Sequence, residues 1–320
     1  LPATPVPNYN GGTMTFGPDN KLYIVIGELN RNGQLQNFSG GAAPDDTGVI
    51  FRINDDGSAP SDNPFAGQPA LAKYYAYGVR NSFGIAFDPL TGELWDTENG
   101  PGSYDEINLV LPGFNSGWER IMGPVGRDIE GTSDLVQFSG SHYSDPKFSW
   151  FDTVGPTAIA FLDSARLGVE YQDDVFVGDI NNGNLYRFKV NGNRDGFIFG
   201  SPGLGDLVAD NNTSELQEVI LGTGFINAGG GISDIKVGPD GLVYVLSFGL
   251  GKIFLISASP PPINFDGDSK SDVSIYRSGA WFIRRSSDGG QTIIGWGGAL
   301  QDVPVPADYD GDGIADVAVY

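Results

Sequence analysis

Two short segments place oxygen-bearing side chains at the spacing that a hard, calcium-sized cation needs. In Asn264-Phe-Asp266-Gly-Asp268-Ser-Lys-Ser-Asp272 these side chains stand at loop positions 1, 3, 5 and 9. Asp308-Tyr-Asp310-Gly-Asp312-Gly-Ile-Ala-Asp316 repeats the pattern in register. Oxygens at alternate positions can converge on one ion, and glycine permits the sharp bend such a loop makes. Each loop runs into a strand-like segment, Val273-Ser-Ile-Tyr276 or Val317-Ala-Val-Tyr320. A solvated acidic turn is the plainer alternative, but the recurrence of four ligands in both copies favours calcium. Other chemistry is restricted. There is no cysteine, hence no disulfide or zinc-thiolate site, and the single histidine, His142, stands in a polar stretch that reads as surface.

The elements that must position any site are hairpins. Phe16-Gly-Pro-Asp19-Asn-Lys-Leu22-Tyr23-Ile, Phe87-Asp-Pro-Leu-Thr-Gly92-Glu-Leu94-Trp95 and Val237-Gly-Pro-Asp240-Gly241-Leu-Val-Tyr244-Val share one plan. An apolar strand meets a turn preset by proline, and a second apolar strand follows. Asp174-Val-Phe-Val-Gly-Asp179 with Leu185-Tyr186-Arg187-Phe188 is a variant copy. Repeated sheets of this kind predict an all-β fold, a β-propeller, with a β-sandwich as the alternative. Helical periodicity is scarce, its best candidate being the short stretch from Pro69 to Tyr75. Ser257-Ala-Ser-Pro260-Pro261-Pro262-Ile263 reads as a stiff polyproline linker. The expected organisation is therefore a propeller over 1–257, a linker over 258–263 and a small calcium-binding β-repeat module over 264–320.

Charge narrows the partners. Lysine and arginine number 18 against 40 aspartate and glutamate, a net charge of −22, which opposes nucleic acid and anionic lipid. No run of apolar residues is long enough for membrane insertion. Calcium loops and acidic excess suit a calcium-rich location: extracellular, at the cell surface or periplasmic. The start at Leu1 reads as a processed or trimmed piece. Asn37-Phe-Ser39 and Asn212-Thr-Ser214 are candidate glycosylation acceptors.

Several segments of the first 257 residues together resemble the glucose/sorbosone dehydrogenase family. They are Asn10-Gly-Gly12, Gly27-Glu28, Asp55-Asp-Gly57, Asp62-Asn-Pro64, Tyr77-Gly-Val-Arg80-Asn81-Ser-Phe-Gly84, Glu98-Asn99-Gly100-Pro101, Asp105-Glu106-Ile-Asn108 and Gly113-Phe-Asn115-Ser-Gly117-Trp118. The resemblance implies a six-bladed propeller, incomplete in this chain, that oxidises sugars with pyrroloquinoline quinone (PQQ). It also implies calcium on the propeller axis, held by backbone carbonyls at Gly100 and Pro101. Glu28, Arg80, Asn81 and Asn99 would face the cofactor, although Arg80 could instead pair with Glu98 or Asp105. The tail resembles the VCBS and FG-GAP repeats of secreted proteins, whose Asp loops bind calcium.

Departures from the family pattern bear on activity. Where active members carry a histidine base, this chain has Tyr9, and a phenol in that role should cost a factor on the order of 10²–10⁴ in rate. Basic residues that would meet the cofactor's three carboxylates are replaced in Gly178-Asp179-Ile-Asn181-Asn182-Gly183, and Arg187, beside Tyr186 and Phe188, reads as structural. A calcium-stabilised surface protein binding glycans or cell-surface proteins is therefore the alternative to a sugar dehydrogenase. A lactonase-type hydrolase is weaker, because no ring of Glu, Asn and Asp ligands is evident.

Overall fold

A computed structural model describes residues 8–210, 213–257, 263–298 and 301–320. The chain divides into two compact units, 1–257 and 258–320. Pro260, Pro261 and Pro262 of the expected linker, and Asn212, lie outside the described residues.

The first unit holds four sheets among its described residues. The first runs β1 (Gly11–Phe16), β2 (Leu22–Ile26), β3 (Val49–Ile53), β4 (Tyr74–Tyr77), then the later short strands β8 (Phe114–Asn115) and β9 (His142–Tyr143). The second begins with β5 (Ser82–Phe87), β6 (Leu94–Glu98) and β7 (Asp105–Val110) and continues into β10 (Phe148–Trp150) and β14 (Val208–Ala209). The third is β11 (Pro156–Phe161), β12 (Val175–Asp179), β13 (Leu185–Phe188) and β15 (Ile220–Gly222). The fourth is β16 (Ile232–Val237), β17 (Val243–Ser247) and β18 (Lys252–Ile256).

The repeated hairpins form the first two strands of three of these sheets. Phe16 pairs with Leu22, Phe87 with Leu94 and Val237 with Val243. The variant copy is the β12–β13 hairpin, where Gly178 pairs with Leu185. Packing explains the motif's Asp and Tyr. Asp19 accepts the Lys21 amide and the Tyr23 hydroxyl, and Asp240 accepts the Leu242 amide and the Tyr244 hydroxyl. One carboxylate thus locks turn to strand in both copies.

Strands β1, β5, β11 and β16 pack in series, each against the next, so that the sheets fan out from their inner strands. Tyr23, Ile50, Val79, Leu94 and Val110 fill the layer between first and second sheets. Trp95, Phe148, Trp150, Tyr186 and Phe188 fill the next layer. Phe176, Leu185, Ile232 and Val245 fill the third. The two middle sheets therefore bury both faces, which a two-layer sandwich does not ask of either sheet.

Two sequence expectations need correction. Residues 69–73 form successive turns, and the stretch ends in β4 instead of a helix; the α-helix among the described residues is Thr213–Val219. Asn37 is fully buried and exchanges reciprocal amide hydrogen bonds with Asn115, so it is no glycan acceptor in this fold.

In the second unit β19 (Val273–Arg277), β20 (Ala280–Arg284) and β21 (Gln291–Gly295) form an antiparallel sheet. Trp281 and Ile283 are buried, and Trp281 packs near Phe265 and Tyr276. Isolated bridges join Pro304 to Val319 and Ala307 to Asp316.

Candidate functional site

The inner strands converge on a cavity of about 570 Å³. Its walls come from where each strand begins or its partner ends. Tyr9 precedes β1, Arg80 and Asn81 precede β5, Thr153 and Gly155 precede β11, and Ser233 lies near the start of β16. Asn99, Gly100 and Pro101 follow β6, Ile180 and Asn181 follow β12, and Phe248 follows β17. Phe83 and Phe248 are 47% and 67% exposed, giving flat apolar faces beside the hydrogen-bonding groups.

Arg80 is central and only 5% exposed. Its main-chain N–H donates to Glu98 Oε1 at 2.5 Å. Its Nη1 donates to the carbonyls of Asn99 at 2.6 Å and Gly100 at 2.9 Å. The guanidinium lies 4.2 Å from the Tyr9 ring centroid and 5.1 Å from that of Trp118. A desolvated cation over two aromatic rings is well held, each contact reaching about 2 kcal/mol. Neither salt bridge weighed from sequence forms: Glu98 takes the main chain of Arg80, and Asp105 is engaged elsewhere.

Asp105, at the start of β7, accepts three amides: Gly100 at 2.8 Å, Val154 at 2.6 Å and Gly155 at 2.7 Å. It therefore ties the Gly100–Pro101 loop to the chain entering β11. Burial raises its pKa, while these amides and the charge of Arg80 pull the other way. Gly27 explains the seat of Tyr9, since a Cβ there would overlap the Tyr9 carbonyl oxygen. Asn81 Oδ1 accepts the Gly11 amide, and Asn99 Nδ2 donates to the Pro156 carbonyl.

Behind the wall, Asp96, Glu98 and Glu106 are fully buried on paired strands, with Glu98 opposite Glu106. Burial pushes Glu98 up to about 7, against the lowering effect of the Ser116 hydroxyl and the Arg80 amide. Asp96 and Glu106 are raised well above ordinary carboxylates by burial and then by Glu98.

Of the residues singled out from sequence, Tyr9, Arg80, Asn81, Asn99, Gly100 and Pro101 meet at the cavity. Glu28 is buried outside its lining, with its carboxylate accepting the Arg31 amide. His142 lies half-buried in β9, where burial lowers its pKa. Arg187 pairs with Asp174 at 2.7 Å and stacks on Tyr171, a structural role. Asp105, Trp118, Phe83, Thr153, Ser233 and Phe248 were not assigned to the site from sequence. Their shared signal is position, since most flank the first strand of a hairpin repeat or its return.

In the tail, carboxylate oxygens of Asp308, Asp310 and Asp316 gather within 4.8 Å of one another. Asp312 caps its own loop by accepting the Ile314 amide. In the first loop Asn264 accepts the Asp266 and Gly267 amides, Asp266 accepts the Ser287 hydroxyl and Asp268 the Ser286 hydroxyl. Asp272 accepts the amides of Phe265 and Ser286.

The family described as Glucose / Sorbosone dehydrogenase matches residues 1–254. The chain belongs to the glucose/sorbosone dehydrogenase family. Among the curated proteins similar to this chain, the aldose sugar dehydrogenase YliI of Escherichia coli is 28% identical over 252 residues, covering 77% of this chain and 59% of YliI. Quinoprotein glucose dehydrogenase B of Acinetobacter calcoaceticus is 38% identical over 132 residues, 36% of this chain and 27% of that protein. The apo-form soluble aldose sugar dehydrogenase structure from Escherichia coli superposes with a TM-score of 0.60 at 27% identity, covering 81% of this chain and 67% of its own. The chain spans 53–59% of the length of two curated relatives that it matches. No helix among the described residues is long and apolar enough to cross a membrane.

Proposed function

We propose that the first unit is a sugar-binding member of the dehydrogenase family, acting outside the cytoplasm, whose cavity takes a polyhydroxylated ring on its own side chains. The observation that carries this reading is the lining: Asn81, Asn99, Thr153, Thr157, Asn181 and Ser233 beside the open faces of Phe83 and Phe248. Neutral donors and acceptors around an aromatic face suit hydroxyls and C–H edges of a sugar. The acidic net charge supports a location where calcium and salt are abundant.

PQQ, named in the resemblance, carries three carboxylates. Among the described lining residues Arg80 is the single cation, engaged by two carbonyls, and Asp105 adds a negative charge. The residues present do not fit that cofactor. Aldose oxidation remains the second reading, favoured by family membership and by Arg80 and Asn81 at the cavity. Calorimetric titration separates the two: aldoses should bind in roughly the millimolar range, while PQQ with calcium should not bind at micromolar concentration. Quinone uptake with dye reduction by aldoses would establish the oxidation reading instead. Absence of binding by any aldose would sink the sugar reading.

For the tail we infer calcium at Asp308, Asp310 and Asp316, with Asp312 shaping the loop, and a second ion held by Asn264, Asp266, Asp268 and Asp272 once their serine contacts yield. Chelation should raise amide exchange over 266–276 and 308–320 at least tenfold, since metal binding stabilises only the folded loops. Unchanged protection in both segments would rule calcium out.

A further inference from the structure

We propose that Arg80 is the resident cation of the cavity, its guanidinium holding the Asn99 carbonyl and the Gly100 carbonyl, the latter one of the two that a divalent metal at Gly100 and Pro101 would need. For its meaning in ligand binding this rests on the sugar-site reading; for its geometry it rests on contacts alone. Nη1 bridges the two carbonyl oxygens at 2.6 and 2.9 Å, so the lone pairs of this shelf already point at a positive charge. A calcium ion needs six to eight oxygens, and like charges sharing the same acceptors repel strongly in a desolvated pocket.

The nearby carboxylates are committed in a way that fits an arginine and not a metal. Asp105 spends its oxygens on the Gly100, Val154 and Gly155 amides. Glu98 spends its own on the Arg80 amide and the Ser116 hydroxyl. Neither makes an ion pair with the guanidinium, and neither turns a free oxygen to the shelf. What holds Arg80 instead is its place over the rings of both Tyr9 and Trp118, a packing that serves a planar cation and is of little use to a divalent metal ion. Tyr9 thus acquires a role as a lid on Arg80. The ligand then meets a fixed cation and, at Asp105, a carboxylate already saturated by main-chain amides, which suits an uncharged sugar.

The test reads paramagnetic broadening by Mn²⁺ in the full chain, using indole N–H signals, with that of Trp118 assigned through Trp118→Phe. In wild type the Trp118 signal should survive Mn²⁺ at millimolar concentration. Arg80→Met, which frees both carbonyls, should make it vanish at a concentration at least tenfold lower; Arg80→Gln gives the same readout if the first variant does not fold. Loss of the wild-type Trp118 signal at micromolar Mn²⁺ would overturn the proposal, as would folded Arg80 variants as insensitive as wild type. Sugar affinity does not enter the measurement, so failure of the sugar reading and failure of this assignment are told apart.

Discussion

Asp105→Ala is expected to destabilise the first unit by about 3–5 kcal/mol, because it orphans one buried and two partly buried amides that a single carboxylate now serves. Hydrogen bonds to charged acceptors contribute about 1.5–3 kcal/mol each, and partial relaxation of the loops keeps the total below their sum. Asp105→Asn retains one carbonyl oxygen and should lose roughly half as much. Both changes release the Gly100–Pro101 loop from the chain entering β11, so sugar affinity should fall along with stability. Urea unfolding of the three proteins checks the first part, and calorimetry at a temperature where all are folded checks the second. An Asp105→Ala protein within 1 kcal/mol of wild type, roughly the worth of one ordinary hydrogen bond, would show that water replaces the carboxylate.

Glu98→Gln should stabilise the same unit at pH 8 and flatten its pH dependence. The pKa of Glu98 is pushed up to about 7 in the folded protein, from an ordinary 4.5. Between those values the folded chain binds a proton that the unfolded chain has released, so stability falls as pH rises through the window. The difference corresponds to about 3 kcal/mol by the usual 1.36 kcal/mol per pKa unit, and full burial leaves little solvent screening to reduce it. Asp96 and Glu106 are raised for the same reason and act in the same direction. Glutamine can still accept from the Arg80 amide, and its NH2 can donate to the Ser116 oxygen once that hydroxyl, which now donates to Glu98, turns its proton away. Denaturation midpoints at pH 5 and pH 8 decide it; a variant with the wild-type slope would place the titration elsewhere.

Local chemistry made the hairpins readable. Asp19 with Tyr23 and Asp240 with Tyr244 encode turn and strand within a few residues, so sequence alone predicted where the chain would double back. The cavity was only half readable. Arg80, Asn81, Asn99 and Gly100 sit in one dense motif, whereas Thr153, Ser233 and Phe248 are brought beside them by the packing of successive sheets, which no short spacing records. Choice of partner was hidden as well. Arg80 had carboxylates within reach in sequence, yet its guanidinium faces carbonyls because Asp105 is saturated by amides from the chain before β11. Asn37 carried a surface-type triplet and proved buried, since its amide finds an exact match in Asn115, far away along the chain.

Strand β14 leaves the segment between β13 and β15, which belong to the third sheet, and pairs in parallel with β10 of the second. The two sheets are thereby interlaced by the chain itself as well as by the aromatic layer between them. Under load or heat they cannot be peeled apart like loose pages: β14 must first be drawn out of its ladder. Most other ladders join strands adjacent in the chain and can form early, whereas this stitch closes over a long sequence distance and should be among the last steps of folding.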